Sequence, residues 1–156
     1  MMELSLNCPI TLQTSSAQET EEVGRVLADL FADKASVYPP YIALYGDLGV
    51  GKTAFVRGFA SALCPAALVR SPTFALVNEY RGARPLFHFD MYRIESEDDL
   101  WSIGYDDYLS RGICLVEWSE NIPYALPDEY LKVAIEKCPD LGDDIRRITI
   151  LWKKEL

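Results

Sequence analysis

Residues 46–53 read GDLGVGKT, and this stretch decides the fold that the sequence predicts. It matches the pattern G-x-x-x-x-G-K-[ST] at every fixed position. An apolar run, YIALY (41–45), precedes it, and apolar residues at helical spacing follow it. Glycines let the backbone turn tightly, so successive N–H groups and the N-terminus of the next helix can face phosphate oxygens. The pattern predicts a strand, a phosphate-binding loop (P-loop) and a helix.

Lys52 and Thr53 are the chemically specific residues of this loop. The Lys52 ammonium can neutralise the β- and γ-phosphates of a nucleotide, and the Thr53 hydroxyl can bind Mg²⁺. Guanine-specific proteins with this loop usually carry an N/T-K-x-D base reader, and the sequence contains no such tetrapeptide. We therefore expect ATP and Mg²⁺ as the cofactors.

A nucleotide bound in this way needs a second acidic group near its metal, usually at the end of a neighbouring buried strand. The apolar run ICLV (113–116) ends in Glu117, and the carboxyl ends of such strands are where open α/β sheets bind ligands. Glu117 could bind Mg²⁺ directly, hold it through a water or orient the attacking water, whereas the alternative is a glutamate that faces solvent. SPTF (71–74) places the hydroxyl of Thr73 after the P-loop helix, where a sensor of the γ-phosphate would lie.

The stretch HFDMYR (88–93) contains the only histidine of the chain. Strand alternation would place His88, Asp90 and Tyr92 on one face. Asp90 could bind the metal through water or polarise the attacking nucleophile. On their own, His88 and Tyr92 are more often structural residues than catalytic ones.

The remaining patterns predict one α/β domain over residues 1–156, with a mixed sheet that has a parallel core and antiparallel hairpin additions. An edge strand over residues 3–12 precedes a helix, and Ser15 and Gln18 are spaced as a capping box for that helix. Two pairs of β-rich runs flank turn residues and predict hairpins: FALVNEY (74–80) with PLFHFDMY (85–92), and LKVAIE (131–136) with IRRITILW (145–152).

Charge is distributed unevenly in a chain whose formal net charge is −9. Residues 90–144 hold 15 acidic and 4 basic residues, a local charge of −11. Because binding to bare nucleic acid depends on Lys and Arg at the phosphates, we expect any role in RNA chemistry to be indirect, through a protein partner. The N-terminus lacks the pattern of a signal peptide and no apolar run is long enough to span a membrane, so we expect a cytoplasmic protein.

The order and spacing of GDLGVGKT, SPTF, HFDMYR and LVEW resemble the bacterial TsaE family (formerly YjeE) over most of the chain. That family provides the ATPase of tRNA threonylcarbamoyladenosine biosynthesis. The resemblance implies a P-loop fold with a mixed sheet and a complex with TsaB and TsaD. It also implies that ATP hydrolysis supports repeated transfer of threonylcarbamoyl to adenosine 37 of tRNAs that read ANN codons.

The resemblance also implies roles for single residues. Lys52, Asp90, Glu117 and Thr73 are the catalytic candidates, and Thr53 and Glu117 would hold Mg²⁺. Trp118 matches a family tryptophan near the nucleotide or the partner surface. The residues expected to contact ATP comprise the turn near the base, the P-loop and a late basic residue, for which Arg146 is the alternative register: Ser15, Gln18, Gly46, Asp47, Leu48, Gly49, Val50, Gly51, Lys52, Thr53 and Arg147.

Two other functions fit a P-loop. A small-molecule kinase would need an acceptor pocket and a mobile lid with several arginines, and the acid-rich segment 95–110 argues against such a lid. A nucleotide-gated binding module would bind ATP without useful turnover. Phosphate release, and the response of hydrolysis to partner proteins, distinguish these functions from the ATPase.

Overall fold

The computed structural model describes residues 8–33, 36–72 and 76–154. Seven strands form one sheet: β1 (Ile10–Thr14), β2 (Tyr41–Tyr45), β3 (Val77–Tyr80), β4 (Leu86–Asp90), β5 (Ile113–Glu117), β6 (Glu129–Lys137) and β7 (Arg146–Lys154). The helices of this part of the chain are α1 (Ala17–Ala28), α2 (Lys52–Leu63), α3 (Glu97–Ser102) and α4 (Tyr105–Leu109). Short 3₁₀ turns occupy Asp29–Phe31, Ser119–Asn121 and Pro123–Ala125.

The strand order is β1-β7-β6-β2-β5-β4-β3. Strands β6, β2, β5 and β4 run parallel to one another, whereas β3, β7 and β1 join the sheet by antiparallel pairing. The predicted mixed sheet with a parallel core is therefore confirmed. Its centre consists of β2 and β5, because apolar residues fill these two strands and can be buried on both faces of the sheet.

Successive residues of the central strands belong to two different cores. Ile42 and Leu44 of β2 pack with α1 and α2, whereas Tyr41 and Ala43 pack with α3 and α4. This division follows from the two-residue period of a strand, which points neighbouring side chains to opposite faces. Helices therefore cover both faces, and the P-loop emerges between the central β2 and α2.

Helix α1 begins one residue later than the predicted capping box. Its N-cap is Ser16, whose Oγ accepts a hydrogen bond from the Glu19 N–H at 3.1 Å. The Glu19 carboxylate in turn accepts from the backbone N–H of Ser15 at 3.0 Å. The capping pair is therefore Ser16 with Glu19, and the prediction of Ser15 with Gln18 was wrong. Position 19 holds a glutamate, whose carboxylate can accept a hydrogen bond from the backbone N–H before the helix.

The strand that carries His88 ends at Asp90, so Tyr92 lies beyond it and the predicted shared face holds only for His88 and Asp90. The acidic segment forms α3 and α4, which are separated at Gly104, where φ is +74°. Among the described residues, none of the helices has the length and apolar character needed to cross a membrane.

Candidate nucleotide-binding site

The P-loop has the backbone shape that its glycines predict. Gly46, Gly49 and Gly51 have φ values of +150°, +76° and +112°. At Gly46 an added Cβ would lie 2.6 Å from the Ile135 carbonyl oxygen of β6, so only glycine allows the loop to pack there. The backbone N–H groups of residues 49–53 donate no hydrogen bond to any other described residue. These unpaired donors at the start of α2 fit the phosphates of a nucleotide.

Lys52 is held inside the loop and is only 5% exposed. Its ammonium donates to the Gly46 carbonyl and lies 3.7 Å from the centre of the Trp118 ring. Burial lowers the pKa of Lys52, and the carboxylates of Glu117, Glu120 and other nearby acids oppose that shift. The ammonium is thus poorly hydrated and has weak partners, which favours exchange of those partners for phosphate oxygens.

Thr53 and Glu117 meet beside the lysine, although 64 residues separate them in the chain. The Thr53 hydroxyl is 3.5 Å from Glu117 Oε2 and 3.0 Å from the Ser71 hydroxyl. Glu117 ends β5 and is 4% exposed, so it does not face solvent. Hydroxyl and carboxylate oxygens are the hard ligands that Mg²⁺ takes, so these residues fit that metal.

Asp90 ends the neighbouring strand β4 and stands directly opposite Glu117 in the parallel register. Its Oδ1 accepts a hydrogen bond from the Tyr92 N–H at 2.9 Å. Burial raises the pKa of Asp90, and the hydrogen bond from Tyr92 opposes the shift. A raised carboxyl pKa at a strand end beside a phosphate loop is typical of a functional acid.

A cavity of about 300 Å³ joins these groups, and its lining combines P-loop residues with both strand-end acids: Leu48, Gly49, Gly51, Lys52, Thr53, Ser71, Asp90, Glu117 and Trp118. A larger cavity of about 520 Å³ lies beside β3 and is lined by none of the P-loop residues. The smaller cavity is the candidate site because the phosphate-binding donors and the acids meet there.

Trp118 has an unusual backbone conformation for a non-glycine residue, with φ of +59° and ψ of +41°. Its ring packs at 5.0 Å from the Tyr92 ring as well as against Lys52. A left-handed bulky residue at a site costs conformational energy, which the surrounding contacts must offset. Trp118 therefore lies beside the P-loop lysine, and its predicted contact with the nucleotide or with a partner surface stays a prediction.

A separate cavity, of about 170 Å³, also borders the P-loop. Its lining comes from the start of α1, the loop and the start of β7: Ser16, Ala17, Thr20, Gly49, Val50, Gly51, Asp144 and Arg146. Ser15 and Gln18 are exposed and do not line it, whereas their neighbours Ser16 and Ala17 do. Contact of Ser15 and Gln18 with ATP stays a prediction.

The basic residue at this cavity is Arg146, not Arg147. The Arg146 side chain donates to the Val50 carbonyl at 3.0 Å and to the Gly49 carbonyl at 3.5 Å. Arg147 points the other way, is exposed and lies 4.0 Å from the Glu136 carboxylate. One residue of strand register moves a side chain to the opposite face, so the geometry favours the alternative register, Arg146, while contact of either arginine with ATP stays a prediction.

Sequence reasoning missed two polar residues at the site. Ser71 is brought to Thr53 by the loop after α2, and Glu120 accepts from the Gly46 N–H at 3.1 Å. Ser71 is the first residue of SPTF, and Glu120 follows VEW by two residues, which was the only sequence signal for them. Thr73, the predicted γ-phosphate sensor, lies outside the described residues.

A mixed sheet whose central strand passes through a glycine-rich phosphate loop into a helix defines the P-loop class of nucleotide-binding folds. The chain matches the family described as "Threonylcarbamoyl adenosine biosynthesis protein TsaE" over residues 14–146. It therefore belongs to the TsaE family.

Relatives from three bacteria cover most of the chain. Proteins described as "tRNA threonylcarbamoyladenosine biosynthesis protein TsaE" from Bacillus subtilis and Treponema pallidum are 41% and 35% identical to it, over 88% and 86% of this chain and 82% and 95% of theirs. One from Haemophilus influenzae is 36% identical over 87% of this chain and 82% of its own. The crystal structure of Bacillus subtilis YdiB has a TM-score of 0.73 at 34% identity, and the match covers 95% of this chain and 87% of that one.

Proposed function

We propose that this chain is a Mg²⁺-dependent ATPase that supports formation of threonylcarbamoyladenosine at position 37 of tRNAs reading ANN codons. Membership of the TsaE family and the names of its relatives support the pathway. The observation that carries the ATPase is the meeting of Lys52, Thr53 and Glu117 beside unpaired N–H groups of the P-loop.

Binding would use donors on both sides of the loop. The N–H groups of residues 49–53 and the Lys52 ammonium would hold the β- and γ-phosphates, and Lys52 would leave the Gly46 carbonyl to do so. The cavity of about 170 Å³, next to Ser16, Thr20 and Arg146, would hold the nucleoside part. A charged partner for Lys52 replaces a neutral carbonyl, which strengthens the hydrogen bond.

Hydrolysis would use the acids at the ends of β4 and β5. Thr53 and Glu117 would hold Mg²⁺, which when bound neutralises charge on the phosphate oxygens. Asp90, whose pKa is raised by burial, would orient the attacking water and accept its proton. The two roles are separated because Glu117 contacts Thr53 whereas Asp90 faces the loop that contains Tyr92.

Partner proteins would complete the site. Arg57 is paired with Glu21 at 3.1 Å, outside the cavity, whereas Arg93 lines a small cavity with Asp90 without an ion pair among the described residues. P-loop enzymes without a placed arginine hydrolyse slowly until a partner supplies or orders one. We propose TsaB and TsaD as these partners, with tRNA held by them, in the cytoplasm, and residues 1–156 as one ATPase domain.

The test is the rate of phosphate release from ATP, with Mg²⁺, by the chain alone and with TsaB, TsaD and tRNA. We expect slow release alone and a rise of at least about tenfold with the partners. A rate that the partners do not change would contradict the proposal. Consumption of ATP without free phosphate, in the presence of an acceptor, would indicate a kinase instead.

A further inference from the structure

His88 is a buried polar residue that the proposed mechanism does not use. It lies in the middle of β4 and has no solvent exposure. Its Nε2 is 2.5 Å from Oε2 of Glu117, which belongs to the adjacent strand β5. A polar ring is costly to bury unless it is hydrogen-bonded, and here one of its two nitrogens is committed to the acid proposed to hold Mg²⁺.

The other nitrogen of the ring is also paired. His88 Nδ1 is 3.1 Å from the hydroxyl of Tyr80, which is buried in β3. That hydroxyl lies 3.3 Å from both the backbone nitrogen and the backbone oxygen of Arg70. The Asn78 side chain donates to the same Arg70 oxygen at 3.0 Å, so the end of this chain of contacts is itself anchored on β3.

The contacts return to the site through the next residue. Ser71 follows Arg70, and its hydroxyl is 3.0 Å from the hydroxyl of Thr53. Thr53 is in turn 3.5 Å from Glu117 Oε2. A single circuit therefore links Glu117, His88, Tyr80, the Arg70–Ser71 backbone and Thr53, and it includes both proposed Mg²⁺ ligands.

We propose that His88 is a positioning residue that fixes the Glu117 carboxylate toward the phosphate cavity, and that Tyr80 fixes His88 by anchoring it to the backbone of Arg70. This inference rests on the proposed function, because it assigns a purpose to the position of Glu117. His88 acts through Glu117 and does not itself line the cavity.

This restraint matters because the Glu117 side chain is long. Glutamate has one more rotatable bond than the aspartate usual at this place, so its carboxylate needs an additional contact to stay in one position. Both His88 and Thr53 contact Oε2, and Oε1 accepts no hydrogen bond from any described residue. Oε1 is therefore the oxygen available to a metal or its water. Outer contacts of this kind orient metal ligands.

The direction of the hydrogen bonds is constrained as well. Where the Glu117 carboxylate is ionised, it only accepts, and the hydrogen between the two residues is then on His88 Nε2. Nδ1 can in that tautomer accept from the Tyr80 hydroxyl, which can itself accept from the Arg70 N–H.

The functional test compares four variants. His88→Gln keeps a side-chain N–H near the position of Nε2, whereas His88→Asn is too short to reach Glu117, and Tyr80→Phe removes only the anchoring hydroxyl. The matched control is Tyr105→Phe, which removes a hydroxyl bonded to Tyr41 and Ala125 in the other core.

Binding of ATP is measured by calorimetry with and without Mg²⁺, together with hydrolysis and thermal unfolding. We expect His88→Asn to raise the Mg²⁺ concentration needed for half-maximal hydrolysis by about tenfold or more, and Tyr80→Phe by less. ATP binding without Mg²⁺ should stay within about twofold of the wild type, because the P-loop donors are intact. His88→Gln should recover most of the loss, and Tyr105→Phe should change only stability.

A second readout does not depend on turnover. His88 is the only histidine in the chain, so tag-free protein labelled with ¹⁵N gives the signals of a single imidazole, one for Nδ1 and one for Nε2. We expect a shift of the Nδ1 signal in Tyr80→Phe but not in Tyr105→Phe, because, of the two tyrosines, only Tyr80 contacts this nitrogen.

An Nδ1 signal that does not shift in Tyr80→Phe, or His88→Asn and Tyr80→Phe proteins with wild-type dependence on Mg²⁺, would overturn the inference and leave the proposed ATPase intact. An equal loss in His88→Gln and His88→Asn, in step with lower thermal stability, would also overturn it, because it would indicate a packing role. If ATP binding and hydrolysis by the wild-type protein did not depend on Mg²⁺, the proposed function would be overturned, and this inference with it.

Discussion

Lys52 makes its contacts within the candidate site with a backbone carbonyl and an aromatic ring. Its ammonium donates to the loop's own Gly46 carbonyl and lies against the Trp118 ring, where burial lowers its pKa. A neutral oxygen and an aromatic face stabilise an ammonium less than a phosphate does. The proposed binding of ATP would therefore replace weak contacts of Lys52 with stronger ones.

Replacing Lys52 should weaken ATP binding directly. A hydrogen bond to a charged group contributes about 1.5–3 kcal/mol, so we expect Lys52→Ala to raise the dissociation constant about 10- to 100-fold. Calorimetric titration with ATP measures the change. Lys153→Ala, which removes an exposed lysine of β7, is the control and should bind as the wild type does. Equal affinities for the two variants would exclude a phosphate role for Lys52.

Glu117 should separate binding from hydrolysis, because it meets Thr53 rather than the P-loop N–H groups. We expect Glu117→Gln and Glu117→Ala to bind ATP within about threefold of the wild type and to lose at least about 100-fold in hydrolysis with TsaB and TsaD present. Glu136→Gln, which removes an exposed carboxylate of β6, is the control. Normal hydrolysis by Glu117→Ala would show that the assignment of this acid is wrong.

Asp90 should show the trade between stability and function. Burial raises its pKa, so the folded chain binds this proton more tightly than the unfolded chain does. Ionising Asp90 at neutral pH therefore costs folding free energy. That cost falls as the pH drops through the raised pKa, and it vanishes below the ordinary value of about 3.9, where both states are protonated.

We accordingly expect Asp90→Asn to unfold about 1–3 °C higher than the wild type at pH 7.5, a gain that shrinks as the pH falls toward 4, while hydrolysis is lost. Asparagine can still accept the Tyr92 N–H, so the loop should be kept. Asp140→Asn, at an exposed loop position, should show neither effect. A destabilised Asp90→Asn protein at pH 7.5 would contradict the burial argument.

At the scale of elements, the contact between α1 and α2 sets the position of the P-loop helix. Gly58 of α2 lies so close to α1 that an added Cβ would be 1.8 Å from the Glu21 carbonyl oxygen. A Cβ added at Gly24 of α1 would likewise lie 2.2 Å from the Phe55 carbonyl oxygen of α2. Two glycines thus let the helix backbones touch, and α2 is held where its N-terminus can face the cavity.

Gly58→Ala should therefore destabilise the protein although alanine is the better helix former. Overpacking of a close contact costs about 1–3 kcal/mol, and for a chain of this length we expect the midpoint of thermal unfolding to fall by about 5 °C or more. The control is the reverse change at an exposed position of the same helix, Ala62→Gly, which should lose up to about 1 kcal/mol from propensity alone. A stabilised Gly58→Ala protein would mean that α1 can move away without cost.

The elements were largely predictable because each carries a local signal. The P-loop, the apolar β2 and β5 and the alternating β6 and β7 appear in the structure at nearly the predicted places. Contacts that change when an element shifts by one residue were not predictable. Ser16 instead of Ser15 caps α1, and Arg146 instead of Arg147 reaches the loop, because one step along a cap or strand reverses which side chain points inward.

The site contacts that span many residues were also out of reach of local patterns. The pairing of Ser71 with Thr53, and of His88 with Glu117, depends on which strands are neighbours in the sheet. Glu117 itself was predictable because the chemistry of a P-loop requires an acid at the end of a buried strand. His88 had no such requirement behind it, and its partner could be known only from the register of β4 and β5.

At the scale of the whole molecule, charge separates the phosphate loop from most of the surface. The acidic segment 90–144 contains α3 and α4, which cover one face of the sheet, and it carries a net charge of −11 from 15 acidic and 4 basic residues. The same segment contributes Asp90, Glu117 and Trp118 to the candidate site. A polyanion that approached the site would therefore meet repulsion, whereas a nucleotide with its metal carries less charge and has dedicated donors.

Transfer RNA should consequently not bind to the isolated chain at physiological salt. The protein has 24 acidic residues against 15 Lys and Arg, so its net charge of −9 opposes RNA phosphates. Neutralisation of phosphates by Lys and Arg supplies most non-specific affinity. We expect fluorescence anisotropy of labelled tRNA to stay flat up to about 10 μM protein at 150 mM salt, and to rise when the same tRNA meets TsaB and TsaD. Saturable submicromolar binding by the chain alone would contradict the proposal that the partner proteins hold the tRNA. If that binding fell steeply between about 50 and 200 mM salt, basic residues outside 90–144 would be the ones that contact the RNA.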